Sequence, residues 1–215
     1  MSPTPEATPT GPGEPVRGRF IAFEGGDGSG KSTQAGLLAE ALGADLTREP
    51  GGTKISDKIR NLVLDPSHIE LTDRTEALLM AAARAQHVEE RIVPALLAGR
   101  HVVSDRFVAS SLAYQGVGRN LGVDVVAELN DFATNGLEPD LTVLLDTDPA
   151  AARQRLGNEL DRIEEAGEGL GRTVVESYRR FASEDRGRWV VVDANGSIEQ
   201  VAARVAQAVH DRLGL

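Results

Sequence analysis

The sequence predicts a doubly wound α/β fold, in which helices cover both faces of a parallel sheet. Short runs of Val, Ile, Leu and Phe are near-continuous and not alternating, which is typical of strands buried on both faces. Longer segments with helical periodicity separate these runs, and strands that alternate with helices produce this architecture. The predicted strands lie at 19–24, 45–47, 101–105, 141–146 and 189–193.

Helices are predicted in the connections between these strands. They lie at 31–42, 54–64, 72–98, 123–135 and 172–185, with a last one after Ser197. The last helix opens with Ser197-Ile-Glu-Gln200, a capping box that satisfies two free backbone N–H groups. Pro94 interrupts the hydrogen bonding of the long 72–98 pattern, so we expect it to kink or divide that helix.

The composition excludes several classes of protein. The 215 residues suit one domain of ordinary size. They include 33 acidic and 23 basic side chains, and this net charge of −10 is wrong for a nucleic-acid binder, which needs a basic surface. There is no cysteine, so disulfides, thiolate nucleophiles and Cys-based metal sites are excluded. No run approaches the roughly 18 apolar residues of a membrane helix, so neither nucleic acid nor membrane is expected as a partner.

Residues 1–18 differ from the rest of the chain in composition. They are rich in Pro, Thr, Gly and Glu and hold almost no bulky apolar side chain. Such a segment cannot bury enough surface to offset the entropy that it would lose on ordering. It also lacks the basic and apolar regions of a secretory signal, so a cytoplasmic location is expected. The sequence therefore predicts a disordered tail over 1–18 and a folded domain over 19–215.

A phosphate-binding loop follows the first predicted strand and precedes a predicted helix, as the P-loop pattern G-x-x-x-x-G-K-[ST] requires. Its residues are Gly25, Gly26, Asp27, Gly28, Ser29, Gly30, Lys31 and Ser32. Glycines let consecutive N–H groups point at phosphate oxygens, and the helix N-terminus adds a partial positive charge. We expect Lys31 to reach the β- and γ-phosphates of a nucleoside triphosphate and the Ser32 hydroxyl to bind Mg²⁺.

Further features limit which reactions this P-loop can serve. The Asn-Lys-x-Asp element expected of a GTPase is absent. Asp105 ends the third strand, where a carboxylate would hold Mg²⁺ directly or through water. Arg106 follows it, and the alternative for these two residues is an ion pair at the end of the strand. Arg48 ends the second strand and should face the same crevice, because parallel strands end at one edge. Arginines converging on an anion beside a P-loop indicate a phosphorylated acceptor, whose phosphorylation requires no protein nucleophile.

Six segments together resemble the thymidylate kinase family. They are FEGGDGSGKST (23–33), TREPGGT (47–53), AARAQH (82–87), SDRF with AYQG (104–116), PDLTVLLD (139–146) and DRIE (161–164). The resemblance covers nearly all of 19–215. It implies a five-stranded parallel sheet, a homodimer, and the reaction ATP + dTMP → ADP + dTDP with Mg²⁺.

The resemblance also implies roles for the residues that match these motifs. Asp27 would meet the 3′-hydroxyl of dTMP, and Arg84 would donate to the thymine O4. Arg48 and Arg106 would bind the dTMP phosphate, with Arg106 also near the transferred group. The wall around the base and deoxyribose would be formed by Ser111, Tyr114 and Gln115. Core packing would also explain Tyr114, and a surface position would also explain Arg84.

Two further expectations concern the base site and a lid. Met80 stands where the family usually stacks a Phe on the thymine, and methionine packs through a polarisable sulfur but has no ring face. The stretch at about 153–171 resembles a mobile lid, which supplies an arginine to the transition state in relatives whose P-loop has none. This P-loop has none, so Arg153, Arg155 and Arg162 are candidates, with surface pairing as the alternative.

Two other functions remain open at this point. Another small P-loop kinase, acting on a different nucleoside monophosphate or a non-nucleotide alcohol, would share the P-loop but would not need the TREPGG and AYQG segments. A nucleotide-dependent switch or nucleic-acid ATPase is disfavoured by the acidic charge and the missing GTPase element. Release of ADP that depends on a small acceptor would separate both kinases from the switch.

Overall fold

The computed structural model describes residues 17–155, 162–163 and 168–215. Most of the predicted tail (1–16) and parts of the predicted lid (156–161 and 164–167) lie outside the described residues. At the start of the described chain, Arg17 Nη1 donates to Asp140 Oδ2 at 3.1 Å, and the Gly18 N–H donates to the Leu96 carbonyl at 2.9 Å. The chain thus already contacts the domain at these two residues, and the division into tail and domain stays a prediction.

Parallel strands form a five-stranded sheet in the centre of the domain. The strands are β1 (Phe20–Glu24), β2 (Asp45–Arg48), β3 (Val102–Asp105), β4 (Leu141–Asp146) and β5 (Trp189–Asp193). Their order across the sheet is β2–β3–β1–β4–β5, and every pairing is parallel. The predicted strands differ from these bounds by at most a terminal residue, and the predicted fold class is confirmed.

Helices fill the connections on both faces of the sheet. They are α1 (Lys31–Leu42), α2 (Lys54–Leu64), α3 (Asp73–His87), α4 (Val93–Leu97), α5 (Val108–Ser111), α6 (Val123–Thr134), α7 (Pro149–Arg155), α8 (Glu168–Glu184) and α9 (Ile198–Leu213). A π-helical segment, Val88–Ile92, joins α3 to α4, and another, Leu112–Gly118, continues α5. Within the part of the chain that the structure describes, no helix combines the length and hydrophobicity of a membrane span.

The long helix predicted over 72–98 is divided near Pro94, as expected. Pro94 lies in the first turn of α4, directly after the π-helical segment Val88–Ile92. A proline is tolerated there because the N–H groups of a first turn need no intrahelical acceptor.

The sequence did not predict α5, the π-helical segment Leu112–Gly118, or α7. It predicted that α8 begins at 172, whereas in the structure α8 begins at Glu168. The stretch from Val108 to Gly118 is rich in small residues and is buried on several sides, so it lacks the apolar periodicity of a surface helix.

Strand β1 shows why the sequences of the central strands are apolar at consecutive positions. Ile21 and Phe23 are fully buried in a cluster with residues of α1 and α9. Phe20 and Ala22 point to the opposite face and join a cluster with α4 and the π-helical segment before it. Because successive side chains of a strand alternate between faces, a central strand covered on both sides must be apolar at every position.

The register of the strands places the polar residues at one edge. Arg48 is aligned with Asp105, and Asp105 is aligned with Phe23, one residue before the end of β1. The P-loop begins at this same edge. Ligands of open parallel sheets bind at the carboxyl ends of the strands, so this edge is where a site is expected.

Candidate active site

The P-loop runs from Gly25 to Ser32, between β1 and α1. Gly28 and Gly30 have φ angles of 76° and 91°, in the left-handed region that favours glycine. A Cβ atom at Gly28 would lie 2.2 Å from the Ala152 carbonyl oxygen, so a side chain is excluded there on steric grounds as well. Gly30 caps α1 without a side-chain hydrogen bond, which leaves the first N–H groups of the helix to bind an anion.

Lys31 lies buried at the start of α1, with its ammonium group turned across the loop. Its Nζ donates to the Gly26 carbonyl at 2.8 Å. Burial lowers the pKa of Lys31 to about 8, and the nearby Arg106 charge adds to this effect, while Asp27 and Asp105 oppose it. A cation desolvated in this way gains from any phosphate that it meets, so Lys31 is suited to bind the phosphates of a nucleotide.

Ser32 and Asp105 offer oxygen ligands beside the loop. Ser32 Oγ donates to Asp105 Oδ2 at 2.5 Å, and Asp105 Oδ1 is buried with no hydrogen-bond partner in the described part of the chain. Hydroxyl and carboxylate oxygens are the ligands that Mg²⁺ prefers, and in kinase sites one or two of them suffice because the phosphates and water complete the octahedron. The residues therefore fit Mg²⁺, although no cluster of three acidic or histidine ligands occurs among the described residues.

Arg106 lies at the meeting point of several elements. It follows β3 with a φ of 72°, an uncommon conformation for a residue with a side chain. Its guanidinium pairs with Asp27 and donates to Ser110 Oγ and Tyr178 Oη, each at 3.1 Å. It also lies 5.3 Å from the centre of the Tyr114 ring. These contacts fix the cation beside the P-loop.

Asp27 and Tyr114 form a second hydrogen-bonded pair next to this cation. Tyr114 Oη donates to Asp27 Oδ2 at 3.0 Å. Burial raises the pKa of Asp27, but the charges of Arg106 and Lys31 outweigh it and the net pKa is lowered. Burial raises the pKa of Tyr114, so the phenol stays protonated and Asp27 stays a carboxylate.

Glu24 supports this arrangement from below, and the sequence analysis did not identify it. It is fully buried and accepts hydrogen bonds from the N–H groups of Phe107 and Ser110, at 2.9 and 3.2 Å, and from Ser110 Oγ at 2.7 Å. Burial raises the pKa of Glu24, and the Arg106 charge partly offsets this. The available signal was a carboxylate ending the otherwise apolar strand RFIAFE.

Helix α3 supplies the far side of the site. Glu76, Met80, Arg84 and His87 are all buried, and their spacing of three to four residues puts them on one face of the helix. Sequence analysis singled out Met80 and Arg84 from this face. It did not single out Glu76 or His87, because their roles depend on partners that are distant in sequence.

Arg84 is held by four neighbours. Its Nε donates to Glu49 Oε2 at 2.6 Å, Nη1 donates to Ser111 Oγ at 2.9 Å and also to Asn130 Oδ1, and Nη2 donates to the Phe107 carbonyl at 3.1 Å. The alternative of a surface arginine is therefore wrong, since its side chain is only 4% exposed. An arginine fixed on so many sides presents its remaining N–H in one direction.

Glu49 joins Arg84 to a buried histidine. Its Oε1 lies 2.9 Å from His87 Nδ1, and His87 Nε2 lies 2.6 Å from Thr47 Oγ1. Burial raises the pKa of Glu49, but Arg84 and His87 together lower it further, so the net shift is downward. This chain of contacts fixes the TREPGG segment against α3.

A cleft of about 820 Å³ opens between the P-loop and α3. The candidate residues that line it are Asp27, Gly28, Ser29, Gly30, Lys31, Ser32, Arg48, Met80, Arg84, Asp105, Arg106, Ser111, Tyr114, Gln115 and Arg155. Gly25, Gly26, Arg153 and Arg162 are candidates that do not line it. One connected cleft thus has the P-loop at one end and an arginine-rich, partly apolar pocket at the other.

Comparison with known proteins assigns the family. The family model described as thymidylate kinase matches residues 23–205. This chain belongs to the thymidylate kinase family. The resemblance carried by the sequence motifs is confirmed, and membership makes the protein a nucleoside monophosphate kinase.

Individual members of this family are similar to the protein over most of its chain. A thymidylate kinase from Lactobacillus delbrueckii subsp. bulgaricus is 47% identical over 205 residues, covering 90% of this chain and 96% of the relative. One from a Geobacillus species is 43% identical, covering 92% and 99%. The crystal structure of thymidylate kinase from Ehrlichia chaffeensis superposes with a TM-score of 0.73 at 30% identity, covering 90% of this chain and 99% of that one.

In this member of the thymidylate kinase family, the three arginines of the predicted lid lie in different places. Arg155 lines the cleft and lies 3.5 Å from the Ala194 carbonyl, while Arg153 is exposed on α7 outside the cleft. Arg162 lies elsewhere, where its Nη2 donates to Glu76 Oε2 at 2.5 Å. Arg155 is therefore the one of the three that lines the cleft.

The structure adds residues that the sequence did not mark on the donor side. The turn after β5 and the start of α9 line the cleft through Ala194, Gly196, Ser197 and Ile198. Ala194 of this turn faces the cleft. Gln34 of α1 holds the turn, since its Nε2 donates to the Ile198 carbonyl at 3.0 Å.

Proposed function

We propose that this kinase carries out its reaction, the phosphorylation of dTMP to dTDP by ATP, in the cleft between the P-loop and α3. The single observation that supports this placement is the continuity of the cleft, which joins the Lys31 end to the Arg84 end through Arg106. We infer a cytoplasmic location, where ATP and nucleoside monophosphates are available.

On the donor side, we propose that ATP binds with its phosphates in the P-loop. The N–H groups at the start of α1 and the Lys31 ammonium would neutralise the β- and γ-phosphates. Ser32 and Asp105 would hold Mg²⁺, which when bound neutralises charge on the phosphate oxygens. The adenine would lie against the turn that includes Ala194 and Gly196.

On the acceptor side, we propose that dTMP lies along α3. Arg48 and Arg106 would bind its phosphate, and the Asp27 carboxylate, held by Tyr114, would accept the 3′-hydroxyl hydrogen bond. Arg84 would donate to the thymine O4. Met80, Ser111 and Gln115 line the same part of the cleft and would surround the base.

The transfer itself needs positioning and charge neutralisation and no covalent intermediate. Arg106 is fixed where the donor and acceptor sides meet, so its guanidinium would stabilise the charge that spreads over the transferring phosphoryl group. Of the lid candidates we assign Arg155 as a second such cation, because it lines the cleft.

We also propose that the enzyme is a homodimer. Three neighbouring helices, α2, α3 and α6, expose large apolar side chains: Ile55, Leu62, Leu78, Val125 and Phe132. Phe132 is 87% exposed and Leu78 is 57% exposed. Apolar groups gathered on adjacent helices are typical of an interaction surface, and a closed two-fold dimer is the commonest way to cover one.

The experiment that tests the reaction is ADP release from Mg²⁺-ATP with a panel of acceptors: dTMP, dUMP, UMP, CMP, AMP, GMP, shikimate and water. We expect strong turnover with dTMP, weaker turnover with dUMP and little with the others. The Lys31→Ala variant measures the background of contaminating ATPases. Turnover with another acceptor would contradict the base-site assignments, and hydrolysis without acceptor would contradict kinase function.

A further inference from the structure

A buried carboxylate on α3 accepts hydrogen bonds from two other parts of the chain. Glu76 is fully buried. Its Oε1 accepts from Gln115 Nε2 at 2.9 Å and from Arg119 Nε at 3.3 Å, and its Oε2 accepts from Arg119 Nη2 at 3.2 Å and from Arg162 Nη2 at 2.5 Å. A carboxylate with four charged or amide donors is ionised and rigid.

Arg162 makes more contacts in this place than its pair with Glu76. Its Nε donates to the Val63 carbonyl at 2.7 Å, and its backbone N–H donates to the Leu64 carbonyl at 3.1 Å. Its side chain is 10% exposed. The guanidinium is therefore bound on the acceptor side of the cleft, at the end of α2, and not beside the P-loop.

The next residue, Ile163, reaches the cleft. It is 7% exposed, packs in a cluster with Val63 and Met80, and lines the cleft wall. Leu64 and Tyr114 border the same cluster. The position of Ile163 beside Met80 thus depends on the anchoring of Arg162.

We propose that Arg162 is a positioning residue that holds Ile163 as a wall of the acceptor-base pocket, and that Glu76 anchors this wall and Gln115 together. This inference rests on the proposed function of the cleft. It assigns Arg162 to dTMP binding and removes it from the candidates for a transition-state cation. Two of the side chains that line the pocket, Ile163 and Gln115, then depend on one carboxylate.

The test is steady-state kinetics and dTMP calorimetry on Arg162→Gln, Glu76→Gln and Ile163→Ala. For Arg162→Gln we expect the KM and Kd for dTMP to rise about tenfold or more, since a charge-assisted hydrogen bond to a buried carboxylate is lost. We expect kcat at saturating dTMP and the KM for ATP to change less than about threefold. Arg162→Lys keeps the charge and should recover part of the affinity.

A double-mutant cycle gives the second readout. If Glu76 and Arg162 act as one unit, the double variant should bind dTMP no more weakly than Glu76→Gln alone. Arg180→Gln, which removes an exposed pair with Glu184 on α8, is the matched control and should match the wild type. Should Glu76→Gln fail to fold, Arg162→Gln and Ile163→Ala carry the test alone.

Two results would overturn the inference. One is a large loss of kcat for Arg162→Gln with an unchanged KM for dTMP, which would make Arg162 a transition-state residue. The other is wild-type behaviour of both Arg162→Gln and Ile163→Ala. If the wild-type enzyme neither binds nor phosphorylates dTMP, the proposed function is wrong and this inference fails with it. If the wild-type enzyme phosphorylates dTMP and the variants behave like it, only the inference is wrong.

Discussion

At the scale of single residues, Lys31 combines a fixed position with a lowered pKa. Burial and the Arg106 charge lower the pKa of Lys31 to about 8, so the free enzyme loses this cation as the pH rises through that value. Only the protonated form attracts phosphate. We therefore expect kcat/KM for ATP, which reports groups of the free enzyme, to fall about tenfold per pH unit above about pH 8. The measurement is a pH profile from 6.5 to 9.5.

The control for this prediction is Lys31→Arg, because a guanidinium stays charged throughout the range. If the variant retains measurable activity, its profile should lack the alkaline limb. A wild-type profile that stays level up to pH 9.5 would show that Lys31 does not titrate in this range.

The P-loop could be predicted from the sequence because its residues are adjacent in the chain. The P-loop is a local motif, and its backbone conformation requires Gly28 and Gly30 wherever it occurs. Glu24 and Glu76 escaped prediction because each carboxylate acts through donors far along the chain, such as Ser110 and Arg162. Glu24 had a signal in its place at the end of an apolar strand, but for neither acid does the sequence show which distant groups will donate to it.

At the scale of elements, helix α3 contributes one face to the proposed acceptor pocket. Met80 lies one turn from Glu76 and one turn from Arg84, and it packs against Val63 and Ile163. The wall at this position is therefore aliphatic. A thymine beside it gains apolar contact without the ring–ring interaction that an aromatic side chain would add.

Met80→Phe should tighten dTMP binding by about three- to tenfold, because a stacked ring adds roughly 0.5–1.5 kcal/mol beyond burial. Isothermal titration calorimetry with dTMP measures the change. Met80→Leu keeps the apolar volume without a ring and should show no gain. An equal gain for both variants, or none for Met80→Phe, would contradict a base stacked at this position.

Elements differed in how far the sequence could predict them. The strands were recognisable because they are buried on both faces and therefore apolar throughout. The π-helical segment Leu112–Gly118 was not, since its residues contact α6 and α8 and so show no single apolar face. Yet this segment carries Tyr114 and Gln115, which only the family motif revealed.

At the scale of the whole molecule, the order of the strands decides what meets in the cleft. Placing β3 between β2 and β1 brings Arg48, Asp105 and the P-loop to neighbouring positions on one edge. Apolar periodicity predicts that strands and helices alternate, but it does not give this order, which depends on contacts between distant segments. The apolar runs already predicted five strands, the family resemblance implied the same number, and the structure supplied their order.

The exposed apolar side chains of α2, α3 and α6 lead to a prediction about assembly. Phe132→Glu places a charge in the proposed interface, where the partner copy would bury it without a counter-ion, so we expect the dimer to dissociate to monomers at micromolar concentration. Sedimentation velocity measures the change. Because Phe132 is 87% exposed within one chain, the substitution should leave the circular dichroism spectrum of the fold unchanged. Leu37→Glu, on α1 at the opposite face of the sheet, is the control and should remain dimeric. A wild-type protein that sediments as a monomer would contradict the dimer, and a Phe132→Glu protein that stays dimeric would place the interface on another surface.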